Sequence, residues 1–258
     1  MAVIGTPTTV EWRHRRRWEW RSAAGSIRDV TIASRWVRVP PFERGITLGD
    51  FLVPIRVGER AAAWQRHLLM IVVGTLLIVV GARISFYLPG NPLVPVTLQT
   101  FGVLFAGALL GFRRALAAVG LYLLLGIVGL PVFALDAQTG LYRSGLDTIV
   151  RVGGGTIALA PTGGYLIGFL LAGGLVGRLA ELGWDRHLGG SVGAMLLGNV
   201  VIYVVGLPWL MAAARLDLLS TLQLGLYPFL AGDFLKLAVA AGLLPAGWWL
   251  VKRRSSEL

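Results

Sequence analysis

An all-α, polytopic membrane protein is the fold class this sequence predicts, and three observations carry it. The chain has 258 residues, of which 55% are hydrophobic and only 14% charged, whereas soluble domains run nearer a quarter charged. Its apolar stretches are long and clean enough to cross hydrocarbon, which takes roughly 20 mostly apolar residues per helix. Its 35 glycines lie mostly inside those stretches. Glycine would weaken isolated soluble helices, but it suits close helix packing in a bilayer. The chain is long enough for a large soluble core, yet a mean hydropathy of +0.71 and uninterrupted apolar runs speak against one.

Six spans follow, over residues 68–88, 98–112, 115–133, 163–182, 188–211 and 227–251. Pro89, Pro131, Pro208, Pro228 and Pro245 fall at or near span ends, where proline stops or kinks a helix. Residues 66–258 therefore form a six-helix membrane domain, and residues 1–65 a basic extension. That extension holds Trp12, Trp18, Trp20 and Trp36 among many arginines. It reads either as a solvated tail or as an interfacial segment meeting anionic headgroups. The more apolar residues 46–54 are expected to lie against the membrane. The Arg/Trp mixture lacks the aromatic spacing of a nucleic-acid fold, so no nucleic-acid partner is expected. No apolar run follows the basic start, so no signal peptide is expected.

The net charge of +11 is placed asymmetrically. With a cytoplasmic N-terminus, the inner segments carry the Arg-rich extension, Arg113, Arg114, Arg178, Arg186 and residues 252–254. The outer segments carry only Arg143, Arg151 and Arg215. The positive-inside rule then predicts a multi-pass protein of the cell membrane with both termini cytoplasmic. The outer loops become residues 89–96, 134–162 and 212–226. The middle one, with Gly153, Gly154 and Gly155, reads either as a lid over a pocket or as a plain connector.

Chemistry concentrates in the last span. Asp233 and Lys236 are three residues apart and share a helix face. A span starting near Tyr227 puts them roughly 9 Å and 14 Å deep at about 1.5 Å per residue, too deep for Lys236 to snorkel comfortably. An ionisable residue at membrane depth is a functional hypothesis by default. The alternative is a self-satisfied ion pair holding helices together. Other polar residues reach similar depth: Arg83, Thr97, Gln99, Thr100, Tyr122, Tyr165, Asn199 and Tyr203. Together they outline a polar pocket in the outer half of the bundle, although each alone fits interhelical packing. Of these, Gln99, Tyr122 and Asn199 are taken as further ligand contacts. Zero cysteines and three histidines, His14, His67 and His187, leave no expected metal site or catalytic residue. No H-E-x-x-H, G-x-S-x-G or phosphate-loop sequence is present, so no enzyme is expected and any ATP-driven motor would sit on another chain. Small residues repeat four apart at Gly81 and Ser85, Gly107 and Gly111, Gly164 and Gly168, and Gly173 and Gly177. They serve either internal packing or a partner subunit.

Four segments in order carry a resemblance: VPVTLQT at 94–100, GLPVFA at 129–134, PTGGYLIGF at 161–169 and YPFLAGDFLK at 227–236, followed by Pro245. They resemble the BioY family, the biotin-specific substrate-capture components (S components) of energy-coupling-factor (ECF) transporters. TLGDFLVP at 47–54 looks like the lead-in of longer family members. The resemblance implies a six-transmembrane-helix S-component bundle, biotin as the transported ligand with no cofactor, and a site near the outer face. It carries the family's ligand-binding residues onto Asp233, Lys236 and Tyr165, and a docking face for the membrane coupling subunit (T component) onto Gly81 and Ser85. Two cytoplasmic ATPase subunits complete the implied partners beside the lipid bilayer. An S component for a different vitamin, or a structural membrane subunit, are the alternatives. The loop from residue 134 is longer than the resemblance leads one to expect.

Overall fold

The computed structural model describes residues 37–38, 45–52, 55–56, 60–153 and 156–256. Trp12, Trp18, Trp20, Trp36, Gly154 and Gly155 lie outside these described residues. The chain runs β1 (Val37–Arg38), α1 (Leu48–Leu52), β2 (Ile55–Arg56), α2 (Arg60–Arg83), β3 (Ser85–Leu88), β4 (Asn91–Thr97), α3 (Gln99–Leu110) and α4 (Phe112–Ile127). It continues through β5 (Val150–Gly153), β6 (Thr156–Leu159), α5 (Gly163–Glu181), α6 (Leu188–Ala214), α7 (Leu218–Gly225) and α8 (Tyr227–Ser256). Each strand pair is antiparallel, β1 with β2, β3 with β4 and β5 with β6.

All six expected spans are helical, but two are short. Four helices are long and apolar enough to cross a membrane: Ala63–Arg83 of α2, α5, α6 and Tyr227–Arg253 of α8. At 12 and 16 residues, α3 and α4 reach only about 18 Å and 24 Å. The third expected span, to residue 133, stops early. α4 ends at Ile127 and Gly129 takes a φ of +108°, which turns the chain back before Pro131 and brings Phe133 under Gly126. The first expected span, to residue 88, also stops early, because Ser85 opens the β3 strand. Of the five prolines expected to stop or kink spans, Pro89 and Pro131 lie beyond helix ends, but two do not end a helix. Pro208 lies inside α6 and Pro245 inside α8, since each removes only one N–H and neighbouring helices support the backbone in a bundle. The expected domain boundary at residue 65 falls inside α2.

α3 and α4 form a hairpin between α2 and α5. A single residue, Gly111 with φ +79°, joins them, a backbone state that costs glycine little. α5 crosses α3 so closely that a Cβ on Gly107 would lie 2.8 Å from the Gly173 carbonyl oxygen. Gly177 likewise abuts the backbone of Gly111 and Phe112, and Gly168 that of Ile202. The four-residue glycine spacings thus serve internal packing, as small residues do where helix backbones meet. Ile78, Val103, Val119, Tyr122, Phe133, Val176, Met195, Ile202 and Leu244 fill the core. Large apolar side chains also cover the outside, including Leu76, Val80, Leu171, Val200, Val204, Phe234, Leu235 and Trp249. An apolar exterior around long apolar helices is what a bilayer solvates.

One end of the bundle is closed by α1. Leu48 is buried over Gly247 of α8, Gly49 abuts the Leu109 carbonyl, and Phe51 meets the Trp248 ring edge-on at 5.4 Å. Residues 46–54 were expected against the membrane; their described part packs instead into the bundle end. Asp50 holds it there. Its carboxylate accepts from Arg66 at 2.6 Å, from two nitrogens of Arg114 at 2.7 and 2.9 Å, and from the Thr47 amide and hydroxyl at 3.1 Å. Burial opposes ionisation of this carboxyl, but the two guanidinium groups and the Thr47 amide outweigh it and hold its pKa below the usual range. Asp50→Asn should therefore destabilise the detergent-solubilised protein by on the order of 3 kcal/mol, because two buried guanidinium groups lose their counter-charge. Replacing Arg66 and Arg114 by Met in the same chain should recover much of the loss. A loss for Asp50→Asn below about 1 kcal/mol in thermal or denaturant unfolding would mark the cluster as an ordinary surface pair.

Candidate functional site

At the other end the chain builds a cap. Residues 133–143 fold into a tight antiparallel arm in which Phe133 N–H donates to the Arg143 carbonyl and Arg143 N–H donates to the Ala134 carbonyl, both at 3.1 Å. The arm is fastened to the β3–β4 hairpin at several points. The Arg83 guanidinium donates to the Pro131 carbonyl at 2.6 Å and lies 4.0 Å over the Tyr142 ring. Tyr87 donates to the Leu135 carbonyl at 2.8 Å, and Ser85 Oγ accepts from Leu135 N–H at 3.2 Å. A short 3₁₀ turn, Leu146–Thr148, and the β5–β6 hairpin complete the connection to α5. Asn91 donates to the Leu224 carbonyl at 2.7 Å and ties β4 to α7. The long middle loop is, over its described residues, an ordered roof.

Beneath this roof lies a cleft enclosing about 670 Å³ of empty space, its open mouth included. Phe133, Leu166, Phe169, Ile202 and Phe229 make its apolar walls, and Thr97, Gln99, Thr100, Tyr165, Tyr203, Asp233, Lys236 and Arg143 bring polar atoms to it. α8 presents Phe229, Asp233 and Lys236 to the cleft at helical spacing, while Phe234 and Leu235 point outward. α5 does the same with Tyr165, Leu166 and Phe169.

Asp233 is the centre of the polar network and is only 4% exposed. Its Oδ1 accepts from Lys236 Nζ at 3.0 Å. Its Oδ2 accepts from the Tyr203 hydroxyl and from Asn199 Nδ2 at 3.3 Å. Lys236 also donates to Thr100 Oγ1 at 3.3 Å. Asp233 and Lys236 thus neutralise each other, and both residues line the cleft. An ionised carboxylate has about four acceptor positions and an ammonium three donors. The contacts above leave one of each unused.

The remaining expected residues divide into lining and supporting groups. Gln99 and Tyr165 line the cleft. The Tyr165 hydroxyl donates to the Gly225 carbonyl at 2.9 Å, and its ring meets Tyr203 edge-on at 6.3 Å. Asn199 sits behind Asp233, beside a smaller cavity of about 200 Å³ that shares Thr100, Asp233 and Lys236 with the cleft. Tyr122 does not reach the cleft. It is fully buried, accepts from Gln99 Nε2 and packs edge-on against Phe133 at 5.4 Å, so it supports two lining residues from behind. Gly81 is buried against the Leu98 carbonyl, where a Cβ would come to 2.7 Å. Ser85 lies beyond the helix in β3, so the two do not form the single helical face that their spacing suggested. Arg143, Thr148, Thr162, Phe133, Phe169 and Phe229 line the cleft without having been singled out. Phe229 and Phe169 were within reach of helical periodicity, four residues from Asp233 and Tyr165. Arg143 carried a weaker signal, a cation in an outer loop poor in cations.

Asp136 anchors the roof's tip. It accepts backbone N–H bonds from Gln138 and Thr139 at 2.9 Å and pairs with Arg143 Nε at 2.7 Å. Burial pushes against its charge, but the amides and the guanidinium prevail and lower its pKa from 3.8 to about 2. A carboxyl depressed on folding contributes stability above its unfolded pKa and loses it as pH falls through the folded one. Hydrogen exchange of residues 136–143, corrected for intrinsic rates, should therefore stay constant down to pH 3.8 and rise as pH falls toward about 2. Asp136→Asn should raise it already at neutral pH. Equal exchange in the variant and the parent chain would refute the anchor.

Comparison with known proteins yields a consistent set. The family model described as BioY matches residues 57–253, beginning just after α1. The biotin transporter BioY of Thermotoga maritima is 37% identical over 177 residues, covering 69% of this chain and 92% of that one. A probable biotin transporter BioY of Lysinibacillus sphaericus is 35% identical, covering 74% and 90%. Among solved structures, the crystal structure of an S component for biotin from an ECF-type ABC transporter superposes with a TM-score of 0.61. It shares 26% identity over 73% of this chain and 94% of that one.

Proposed function

The chain belongs to the BioY family, and on that premise we propose that it holds biotin in the cleft beneath its loop roof, with Asp233 and Lys236 reading the ureido group. It is the biotin-binding S component of an ECF-type uptake transporter, a multi-pass membrane protein and not an enzyme. The single observation that carries the site is the adjacent acceptor and donor on α8. Asp233 Oδ1 and Lys236 Nζ stand 3.0 Å apart, both residues line the cleft, and each has one bonding position unused. A ureido group presents an N–H beside a carbonyl, the matching donor and acceptor. Asp233 accepts from the N–H, and Lys236, steadied by Thr100, donates to the carbonyl oxygen. Such charge-assisted bonds are strong where water is excluded. Tyr165, Phe169 and Phe229 enclose the apolar thioether ring and chain. Gln99 completes the polar wall, Tyr122 fixes Gln99, and Asn199 steadies Asp233.

Charge placement supports an outward-facing cleft. The end bearing α1 carries Arg66, Arg113, Arg114, Arg178, Arg186, Lys252 and Arg253, and the cleft end only Arg83, Arg143, Arg151 and Arg215. Under the positive-inside rule the C-terminus is cytoplasmic and the cleft opens outside. A membrane coupling subunit and two cytoplasmic ATPases then supply the energy, since no phosphate-binding sequence occurs here. The purified chain should bind biotin without nucleotide, and Asp233→Asn or Lys236→Ala should weaken binding by more than about tenfold. Unchanged affinity in both variants would remove the ureido assignment. Single cysteines introduced at positions 140 and 253 of this cysteine-free chain should react with an impermeant maleimide in intact cells only at position 140. The reverse pattern would invert the orientation.

A further inference from the structure

We propose that the carboxyl end of α7 is a clamp that holds three walls of the cleft in register, with Asn91 and Gly225 as its positioning residues. The proposal rests on the biotin reading above, because it says what keeps that cleft at its ligand's dimensions. Three consecutive carbonyls carry it. The last carbonyls of a helix have no partner within it, and in α7 they are taken up by cleft-lining elements. The Leu224 carbonyl accepts from Asn91 Nδ2 at 2.7 Å, and Asn91 opens β4, which brings Val94, Pro95 and Thr97 to the cleft. The Gly225 carbonyl accepts from the Tyr165 hydroxyl of α5 at 2.9 Å. The Leu226 carbonyl, just past the helix, accepts from the Phe229 N–H in the first turn of α8 at 3.0 Å. Tyr165 and Phe229 line the cleft as well. Among the described residues α7 itself lines none of it, so it acts only through the elements it holds.

Close packing tightens the clamp. A Cβ on Gly225 would lie 2.7 Å from the Tyr165 hydroxyl oxygen and 2.6 Å from Leu210 Cδ2. A Cβ on Gly206 of α6 would lie 2.6 Å from Tyr165 Cδ1. Glycine is therefore needed at both the tip and the edge of the Tyr165 ring, for close approach rather than for backbone twist. The bonds are also shielded from water. Asn91 is 4% exposed, and Tyr165 and Gly225 are buried, so loss of either donor leaves a carbonyl unpaired at a cost water cannot fully offset. Asn91 is itself fixed, its Oδ1 accepting from the Leu93 N–H at 3.3 Å. A tie between two loops would need one of these bonds. Three in a row, each to a different wall, set the walls before ligand arrives and so limit the ordering cost of binding.

The test measures equilibrium biotin binding, and the thermal midpoint of the ligand-free protein, for the purified full chain and its variants. Asn91→Ala and Tyr165→Phe each delete one anchor and keep the Tyr165 ring. Each should weaken biotin by about threefold to tenfold, the size of one buried hydrogen bond. Both anchors restrain the same end of α7, so the double variant should fall short of the product of the two losses by about threefold. Gly225→Ala keeps both donors but drives the Tyr165 hydroxyl away, and it should weaken biotin to a similar extent. Asn91→Ser takes the place of Asn91→Ala in the cycle should the latter not fold. Unchanged biotin affinity in the Asn91 variant, whatever its thermal midpoint, would overturn the proposal and leave the Asp233–Lys236 site standing. Losses that multiply in the double variant would overturn it too, since the anchors would then act independently. A parent chain that binds no biotin would overturn the reading of the cleft, and the clamp with it.

Discussion

A carboxylate on a membrane-crossing helix must be fully compensated, and the arrangement around Asp233 follows from that requirement. At 4% exposure it has little water to lean on, and desolvation of an isolated charge costs several kcal/mol even after relaxation. Compensation comes from three helices: Lys236 one turn away on α8, and Asn199 and Tyr203 from α6, with Lys236 braced in turn by Thr100 on α3. The register of α6 against α8 is thereby fixed by polar contacts across a surface that is otherwise apolar. Hydrophobic burial cannot fix such a register in a bilayer, because lipid tails solvate the same side chains equally well.

The roof extends the same logic into the loops. Its backbone would lack partners if it merely covered a cleft, and orphaned buried amides are costly. Here the hairpin β3–β4, the arm at residues 133–143 and α7 supply one another's hydrogen bonds, and Arg83, Tyr87, Asn91 and Tyr142 act as cross-links. Phe133 joins roof to core by wedging against Gly126, where any side chain would collide, and by resting on Tyr122. A cleft wall supported this way is largely formed before ligand arrives, which limits the ordering cost of binding.

Much of this was legible in the sequence, and the failures have physical causes. Helix existence followed from apolar length, and four of the six spans lie within a few residues of expectation. α2 and α4 end before their expected limits, α2 because Ser85 opens the β3 strand and α4 because Gly129 takes a positive φ, neither of which an apolar window registers. Asp233, Lys236, Gln99 and Tyr165 line the cleft and were legible as candidates because polar groups at membrane depth are conspicuous. Tyr122 was conspicuous for the same reason yet works from behind, since depth along a helix says nothing about which side of it meets the cavity. Arg143 went unnoticed because its place depends on a loop that turns back on itself, and no periodicity encodes that return. The Gly81 and Ser85 spacing does not map onto one helical face, because α2 ends between them.

The two buried aspartates at opposite ends of the bundle separate structure from function. Asp50 is saturated: two guanidinium groups, an amide and a hydroxyl occupy its oxygens. Asp233 carries the same charge at similar burial but faces empty space, and its contacts stop one short of saturation. A protein built for stability alone gains nothing from leaving that position open, since hydrophobic replacement of a buried ion pair is often neutral or favourable. An incompletely satisfied pair beside a cleft is instead the condition under which an incoming N–H and carbonyl gain bonds without first breaking strong ones. The proposal that α8 reads the ligand rests on this asymmetry between the two carboxylates, rather than on the mere presence of charge in a membrane helix.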